Sequence, residues 1–263
     1  MASRDCVFLM YHEIELGGRP LCQSEPGYRR YVLSDETFQR QMQWLKEGGY
    51  RGLSVGEALQ FPSERSVCIT FDDGCETDLI AAAPVLRDLG FRATFYVTAG
   101  FIGAPGYMNR DQLGELDSAG FEIGCHSMTH PYLPDLDDAG MKREIVDAKL
   151  KIEEMVRHPI EHFSAPGGRF DSRTLEMARR AGFRTVATSL FHANSRSTDP
   201  YRLGRIAILR DTPLQEFAAT CEGRGLWSKR LKDRTRGAFQ SVFGNRAYDR
   251  LRALLLARGS RSD

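Results

Sequence analysis

The chain has 263 residues, 41% of them hydrophobic and 27% charged, enough for one large domain with a substantial buried core. Its formal net charge of +1 excludes a global field that would draw it to nucleic acid or another acidic polymer. The first five residues carry no basic n-region or long apolar h-region, and no apolar run approaches the roughly 20 residues of a spanning helix. The expected location is therefore cytoplasmic, or peripheral to the inner membrane face.

In chain order, residues 6–11 read as a first strand, and a helix begins near Ser34 with Phe38, Met42 and Leu45 as its apolar stripe. Residues 67–71 form an apolar strand, and a helix follows from Asp78 until Gly90 closes it. Strands at 93–97 and 121–124 flank a helix from Asn109 closed by Gly120. A helix from Asp137 carries Met141, Ile145, Ala148, Ile152 and Met155 at helical spacing. Then come a strand at 162–164, a helix from Ser172 closed by Gly182, and strands at 185–188 and 203–209. Thr212 followed by Pro213 predicts an N-cap with proline at the first helical position and a helix to about Thr220. Strand and helix alternating in this way predict a parallel α/β sheet or barrel with right-handed crossovers.

Beyond Glu222 the composition turns basic. Arg224, Lys229, Arg230, Lys232, Arg234 and Arg236 stand beside an apolar side that includes Leu226, Trp227, Leu231 and Phe239. The expected organisation is a main domain over 1–222 and a basic amphipathic helical tail over 223–263. Two readings of the tail stay open: peripheral contact with an anionic membrane, or a helical hairpin packed on the domain with its charges in water.

Two motifs carry the chemistry. Thr70-Phe71-Asp72-Asp73-Gly74 ends an apolar strand in paired carboxylates, and His126-Ser127-Met128-Thr129-His130 places two imidazoles four residues apart. Neighbouring strand residues point to opposite faces, so the aspartates share one site only if the chain bends, which Gly74 permits. One turn of helix over 126–130 would put both histidines on one side, with Pro131 ending it. One carboxylate and two imidazoles make a three-donor set with an open position, the pattern of a catalytic zinc site, and the second carboxylate stays available as a base. Taken singly, the aspartates read as a helix cap and the histidines as surface residues. Cys6, Cys22, Cys68, Cys75, Cys125 and Cys221 contain no CxxC pair and predict free thiols. Cys75 and Cys125 flank the motifs, where packing is the ordinary role of such cysteines.

These motifs resemble those of the NodB-homology polysaccharide deacetylases, carbohydrate esterase family four, over about 7–209. The resemblance implies a distorted (β/α) barrel of fewer than eight complete units. It implies Asp72 as general base and Asp73, His126 and His130 as ligands of a divalent metal, Zn²⁺ by default with Co²⁺, Ni²⁺, Fe²⁺ or Mn²⁺ as alternatives. Phe163-Ser164-Ala165-Pro166-Gly167-Gly168 resembles a further family motif, in which the Gly167 N–H would bind the oxyanion. Ser164 stands where many members carry an arginine that braces the base, and Gly167 where they carry an aromatic. Arg169 is the candidate replacement for that arginine, against the ordinary role of a solvated surface residue.

The family's late histidine is missing from residues 206–210. Phe8-Leu9-Met10-Tyr11-His12-Glu13 instead resembles the permuted order of poly-N-acetylglucosamine deacetylases, which implies His12 as general acid. His12 as a mere strand end is the rival reading, and His192 is the alternative acid, while His158 and His162 read as structural or exposed. The implied activity is metal-dependent removal of N-acetyl groups from hexosamine units of a polysaccharide, oligosaccharide or lipid-linked glycan, as in exopolysaccharide biosynthesis. Hydrolysis of a non-sugar amide or ureide, or glycan binding without turnover, are the alternatives. Tyr11, Tyr107, Tyr132 and Phe170 are candidate sugar contacts by proximity in sequence. No nucleic acid or particular protein partner is implied.

Overall fold

A computed structural model describes residues 5–60 and 65–226. Strands β1 (Val7–Tyr11), β2 (Ile14–Glu15) and β3 (Leu33–Ser34) open the chain, with a short helix α1 (Pro26–Arg29) between β2 and β3. Helix α2 (Asp35–Glu47) follows, its N-terminus capped by the Ser34 side chain, which accepts a hydrogen bond from Thr37 N. Its apolar stripe of Phe38, Met42 and Leu45 is buried as periodicity predicts. Two elements not foreseen come next, β4 (Arg51–Leu53) and α3 (Val55–Gln60); both are too short to show a period.

Strand β5 (Ser66–Asp73) is buried along its whole length and sits at the centre of the sheet. It leads into a π-helical turn (Asp78–Ala82) and α4 (Ala83–Asp88). The sheet continues with β6 (Thr94–Val97), helix α5 (Arg110–Ser118) and β7 (Glu122–Cys125). A helical run then joins α6 (Asp138–Lys142), a π-turn (Arg143–Asp147) and α7 (Ala148–Val156). Strand β8 (His162–Ser164), helix α8 (Ser172–Arg180), β9 (Thr185–Ala187), β10 (Ile206–Ala207) and α9 (Leu214–Cys221) complete the described chain. The last helix is capped by Pro213 rather than by Thr212, one residue later than the sequence predicts.

All named strand pairings are parallel, in the order β10-β1-β5-β6-β7-β8-β9, with β4 against the first half of β5. A parallel bridge from Ala187 to Leu203 brings the chain just before β10 back to β9, so the sheet curls nearly closed. This is the expected distorted (β/α) barrel of fewer than eight units. Alternation sorts its side chains into two layers. Val7, Leu9, Val67, Ile69 and Phe71 join the large core under the helices. Phe8, Leu53, Cys68, Tyr96, Ala187 and Leu203 form a smaller cluster inside the sheet curl.

No described helix is long and apolar enough to cross a membrane. The basic tail read from 223 onward lies outside the described residues from 227 on.

Candidate active site

Asp72 and Asp73 terminate β5 in register with Tyr96 and Val97 of β6. Alternation places Asp72 with Cys68 and Thr70 on the inner side, and would send Asp73 outward with Phe71. The backbone prevents this: Asp73 takes φ 84° and Gly74 φ 83°. The bend therefore begins on the aspartate itself, a left-handed conformation that a non-glycine residue adopts only where its surroundings enforce it.

The histidine segment departs from expectation, because residues 126–130 form no helical turn. Ser127 and His130 have φ 68° and 62°, and Ser127 Oγ accepts a hydrogen bond from His130 N at 2.9 Å. Glu144, on the π-turn after α6 and 1% exposed, accepts hydrogen bonds from Met128 N, Thr129 N and Thr129 Oγ1 at 3.0, 2.7 and 2.8 Å. The imidazoles thus meet through a loop bound to a buried carboxylate.

His126 Nε2 and His130 Nε2 lie 3.6 and 3.5 Å from Asp73 Oδ1. Ligands about 2.1 Å from a tetrahedral ion stand about 3.4 Å apart, so these atoms have the separation that a common metal requires. Asp73 Oδ1 is buried and has no hydrogen-bond partner among the described residues, as an oxygen reserved for a cation would be. His126 Nδ1 lies 2.9 Å from the Ser164 carbonyl oxygen, to which it donates in the tautomer that leaves the Nε2 lone pair directed at the site. Burial lowers the His126 pKa to about 4 against the opposing pull of Asp72 and Asp73, which keeps the ring neutral.

The brace for Asp72 comes from a residue the sequence reading passed over. Arg205, 1% exposed, donates from Nη1 to Asp72 Oδ1 and from Nη2 to Asp72 Oδ2, each at 2.7 Å. Its Nη2 also donates to Ser164 Oγ at 2.7 Å, its Nη1 to Thr70 Oγ1 at 3.2 Å and its Nε to the Thr188 carbonyl at 3.1 Å. Burial alone would raise the Asp72 pKa. The charge and hydrogen bonds of Arg205, with the charge of His126, outweigh it and hold the carboxyl well below the usual carboxylate range. Ser164 therefore leaves room for an arginine that arrives from the start of β10. Arg169 does not take this role; its guanidinium lies 3.8 Å from the centre of the Tyr132 ring.

The absence of an aromatic side chain at Gly167 has a similar explanation. Gly167 has φ 61°, and a Cβ there would stand 2.9 Å from Tyr132 Cε1, so a ring from the histidine loop already fills that place. Gly167 sits in a single 3₁₀ turn, Pro166–Gly168, directly after the strand whose Ser164 touches Asp72 and His126.

His12 follows β1, which pairs with β10 on one side and β5 on the other, so the first and last strands are neighbours as the permuted order requires. Its Nδ1 is buried without a hydrogen-bond partner among the described residues, and its ring centre lies 4.7 Å from that of Tyr31. Burial lowers its pKa, against an opposing upward pull from Asp73 and Asp72.

His192 is corrected: it lines a cavity with Val7, Trp44, Tyr50 and Ser66, at the start of β1 and β5 and so at the opposite end of the sheet from Asp72. His158 is exposed with its Nε2 2.9 Å from Asp117, and His162 is buried against Thr185 and Glu122, as their structural reading expects. Tyr11 is also corrected, because it is fully buried and donates to Gln41 Oε1, which leaves it no surface for a sugar. Tyr107, Tyr132 and Phe170 remain partly exposed.

The polysaccharide deacetylase family model matches residues 60–186. The chain is 30% identical over 220 residues to YxkH of Bacillus subtilis (strain 168), provisionally named a polysaccharide deacetylase, covering 81% of this chain and 75% of that protein. It is 24% identical over 208 residues to the poly-beta-1,6-N-acetyl-D-glucosamine N-deacetylase of Staphylococcus epidermidis, covering 70% of each. Its fold matches the Streptococcus pyogenes deacetylase PplD, solved with acetate, at TM-score 0.74 and 24% identity over 84% of this chain and all of that one. The chain belongs to the polysaccharide deacetylase family.

Proposed function

We propose that the protein is a metal-dependent N-deacetylase that releases acetate from N-acetylated hexosamine units of a glycan. The observation that carries this reading is the meeting of Asp73 Oδ1, His126 Nε2 and His130 Nε2 beside an Asp72 clamped by Arg205. Zn²⁺ suits three N and O donors with an open position, and Co²⁺, Ni²⁺, Fe²⁺ or Mn²⁺ accept the same donors. A divalent ion held by Asp73, His126 and His130 would supply Lewis acidity and ease the deprotonation of water at the site.

The chain's own groups perform the proton transfers. Asp72 Oδ2 stands 3.7 Å from His126 Nε2, on the ligand side of its carboxylate, and takes the proton of the attacking water. Arg205 fixes that oxygen's position and keeps it ionised before attack. The Gly167 N–H donates to the oxygen that gains charge as the acetamide carbonyl becomes tetrahedral. His12, in its protonated form, delivers the proton that the departing amine needs. The partly exposed Tyr107, Tyr132 and Phe170 offer ring faces to the sugar.

The relative named as a poly-beta-1,6-N-acetyl-D-glucosamine N-deacetylase supports a β-linked N-acetylglucosamine polymer as the substrate class. The test is acetate release from N-acetylglucosamine oligomers by chelator-stripped protein, with and without added Zn²⁺. Release restored by metal and abolished in Asp72→Asn supports the reading. No release from metal-loaded protein sinks it.

A further inference from the structure

A second group of metal-ligating side chains lies beside the active site and shares no residue with it. Glu13, Cys22 and Cys75 each place a donor atom within 4.8 Å of the others'. They arrive from three places: Glu13 directly follows His12, Cys22 sits in the excursion between β2 and α1, and Cys75 comes two residues after Asp73. We propose that Glu13, Cys22 and Cys75 form a second, thiolate-containing site for a soft divalent cation, Zn²⁺ first, which ties the 16–25 loop to the active-site floor.

Asp78 supplies an independent reason to expect a cation. Its carboxylate is fully buried, and neither oxygen has a hydrogen-bond partner among the described residues. Burial raises its pKa, and the carboxylates of Asp73, Glu13 and Asp72 add to that effect. A buried carboxyl in such company is costly whether ionised or neutral, because the neutral form still leaves a donor and an acceptor unmade. A cation held by the neighbouring Glu13, Cys22 and Cys75 would offset the charge of the ionised form.

The surroundings are built to hold the sulfurs. Cys22 N donates to both Glu13 oxygens at 3.1 Å, and the free Cys22 thiol donates to the Gly106 carbonyl oxygen at 3.0 Å, a bond given up when the sulfur ligates a cation. The Tyr28 hydroxyl stands 3.4 Å from Cys75 Sγ, where it can donate to a thiolate and orient it. Gly106 has φ 86°, and a Cβ there would stand 3.0 Å from Cys22 Sγ, so glycine keeps the space beside that sulfur open. Cys22 is half-buried, which leaves an entry path.

Two thiols and one carboxylate are three protein donors of the types that hold tetrahedral Zn²⁺, with the fourth position left for water. On binding, the two thiols release their protons to solvent and form two metal–sulfur bonds, with no change of oxidation state. The Asp73, His126 and His130 set contains no sulfur, so the two sites have different spectra.

The test is titration of the chelator-stripped, reduced full chain with Co²⁺, reading thiolate-to-cobalt charge-transfer absorption and metal stoichiometry. Two ions per chain with a charge-transfer band are expected. Cys22→Ser should remove the band and one ion, His126→Ala should remove the other ion and keep the band, and Asp78→Asn should weaken the band-forming site by about 10- to 100-fold. One ion per chain without the band overturns the proposal, as does a band that survives in the Cys22→Ser/Cys75→Ser double variant. A Cys22–Cys75 disulfide in protein purified without reductant, together with no second Co²⁺ in the reduced chain, also overturns it and assigns the pair to redox chemistry. Neither readout involves acetate release, so failure here and failure of the deacetylase reading are separable.

Discussion

Arg205 grips Asp72 with both terminal nitrogens, Nη1 on Oδ1 and Nη2 on Oδ2, at 2.7 Å each and almost wholly out of water. The fork geometry of a guanidinium matches both carboxylate oxygens at once, which an ammonium cannot do. The pair joins the start of β10 to the end of β5 across the inside of the sheet, 133 residues apart in sequence.

Arg205→Met should destabilise the protein by about 3–5 kcal/mol in chemical denaturation, because it leaves a buried carboxylate without its partner. The folded-state pKa of Asp72 now lies below its ordinary value, so the stabilisation is complete above about pH 4 and is lost as the pH falls through the lower folded value. Without Arg205 that pKa rises, and the acid limb of acetate release should move to higher pH. An unmoved limb would show that Arg205 does not tune Asp72.

Asp72→Asn should keep the metal and lower turnover by about 10²- to 10⁴-fold, whereas Asp73→Ala and His126→Ala should lose metal and activity together. Metal analysis beside acetate release separates the two classes. His12→Ala should reduce turnover with metal content unchanged, and loss of metal in that variant would make His12 a ligand.

Glu144→Gln should loosen the 126–130 loop, since an amide oxygen is a weaker acceptor for the hydrogen bonds now made by Met128 N, Thr129 N and Thr129 Oγ1. We expect metal affinity to fall by about 10- to 100-fold, measured by competition with a chelating dye. Unchanged affinity would show that the loop holds its shape without Glu144.

His126 makes the metal-free protein sensitive to mild acid. Its folded pKa, about 4, lies below the ordinary 6.5, so the unfolded chain binds more protons between those values and stability rises with pH across that window. The difference is of order 3 kcal/mol between pH 4 and pH 6.5. His126→Asn should flatten this part of the stability profile in urea titrations of the stripped protein.

Gly167→Ala adds a Cβ at φ 61° and 2.9 Å from the Tyr132 ring. We expect a loss of about 1–3 kcal/mol and reduced acetate release. The Gly167→Ala/Tyr132→Ala double variant should recover only the steric part, since the left-handed backbone stays strained; full recovery of stability would contradict that division.

Sequence alone determined much of the barrel and both chemical motifs. The apolar run at 67–71, the stripe of α2, and the caps at Ser34 and Asn109 are local signals, expressed within one or two turns of chain. The pairing of Asp73 with His126 and His130 was legible because each motif is short and its residue types are chemically specific. The left-handed backbone at Asp73, Ser127 and His130, which replaces the expected helical turn, was not, because contacts from Glu144 and neighbouring strands impose it. Arg205 was invisible for a related reason: nothing in Leu203-Gly204-Arg205-Ile206 marks an arginine as buried, and only closure of the sheet brings it to Asp72. The same closure gathers Glu13 and Cys75 at one end of the sheet and sends His192 to the other. Composition and periodicity record which residues can make an element; which side chains finally touch depends on how the strands pair around the curl, and that is a property of the folded chain.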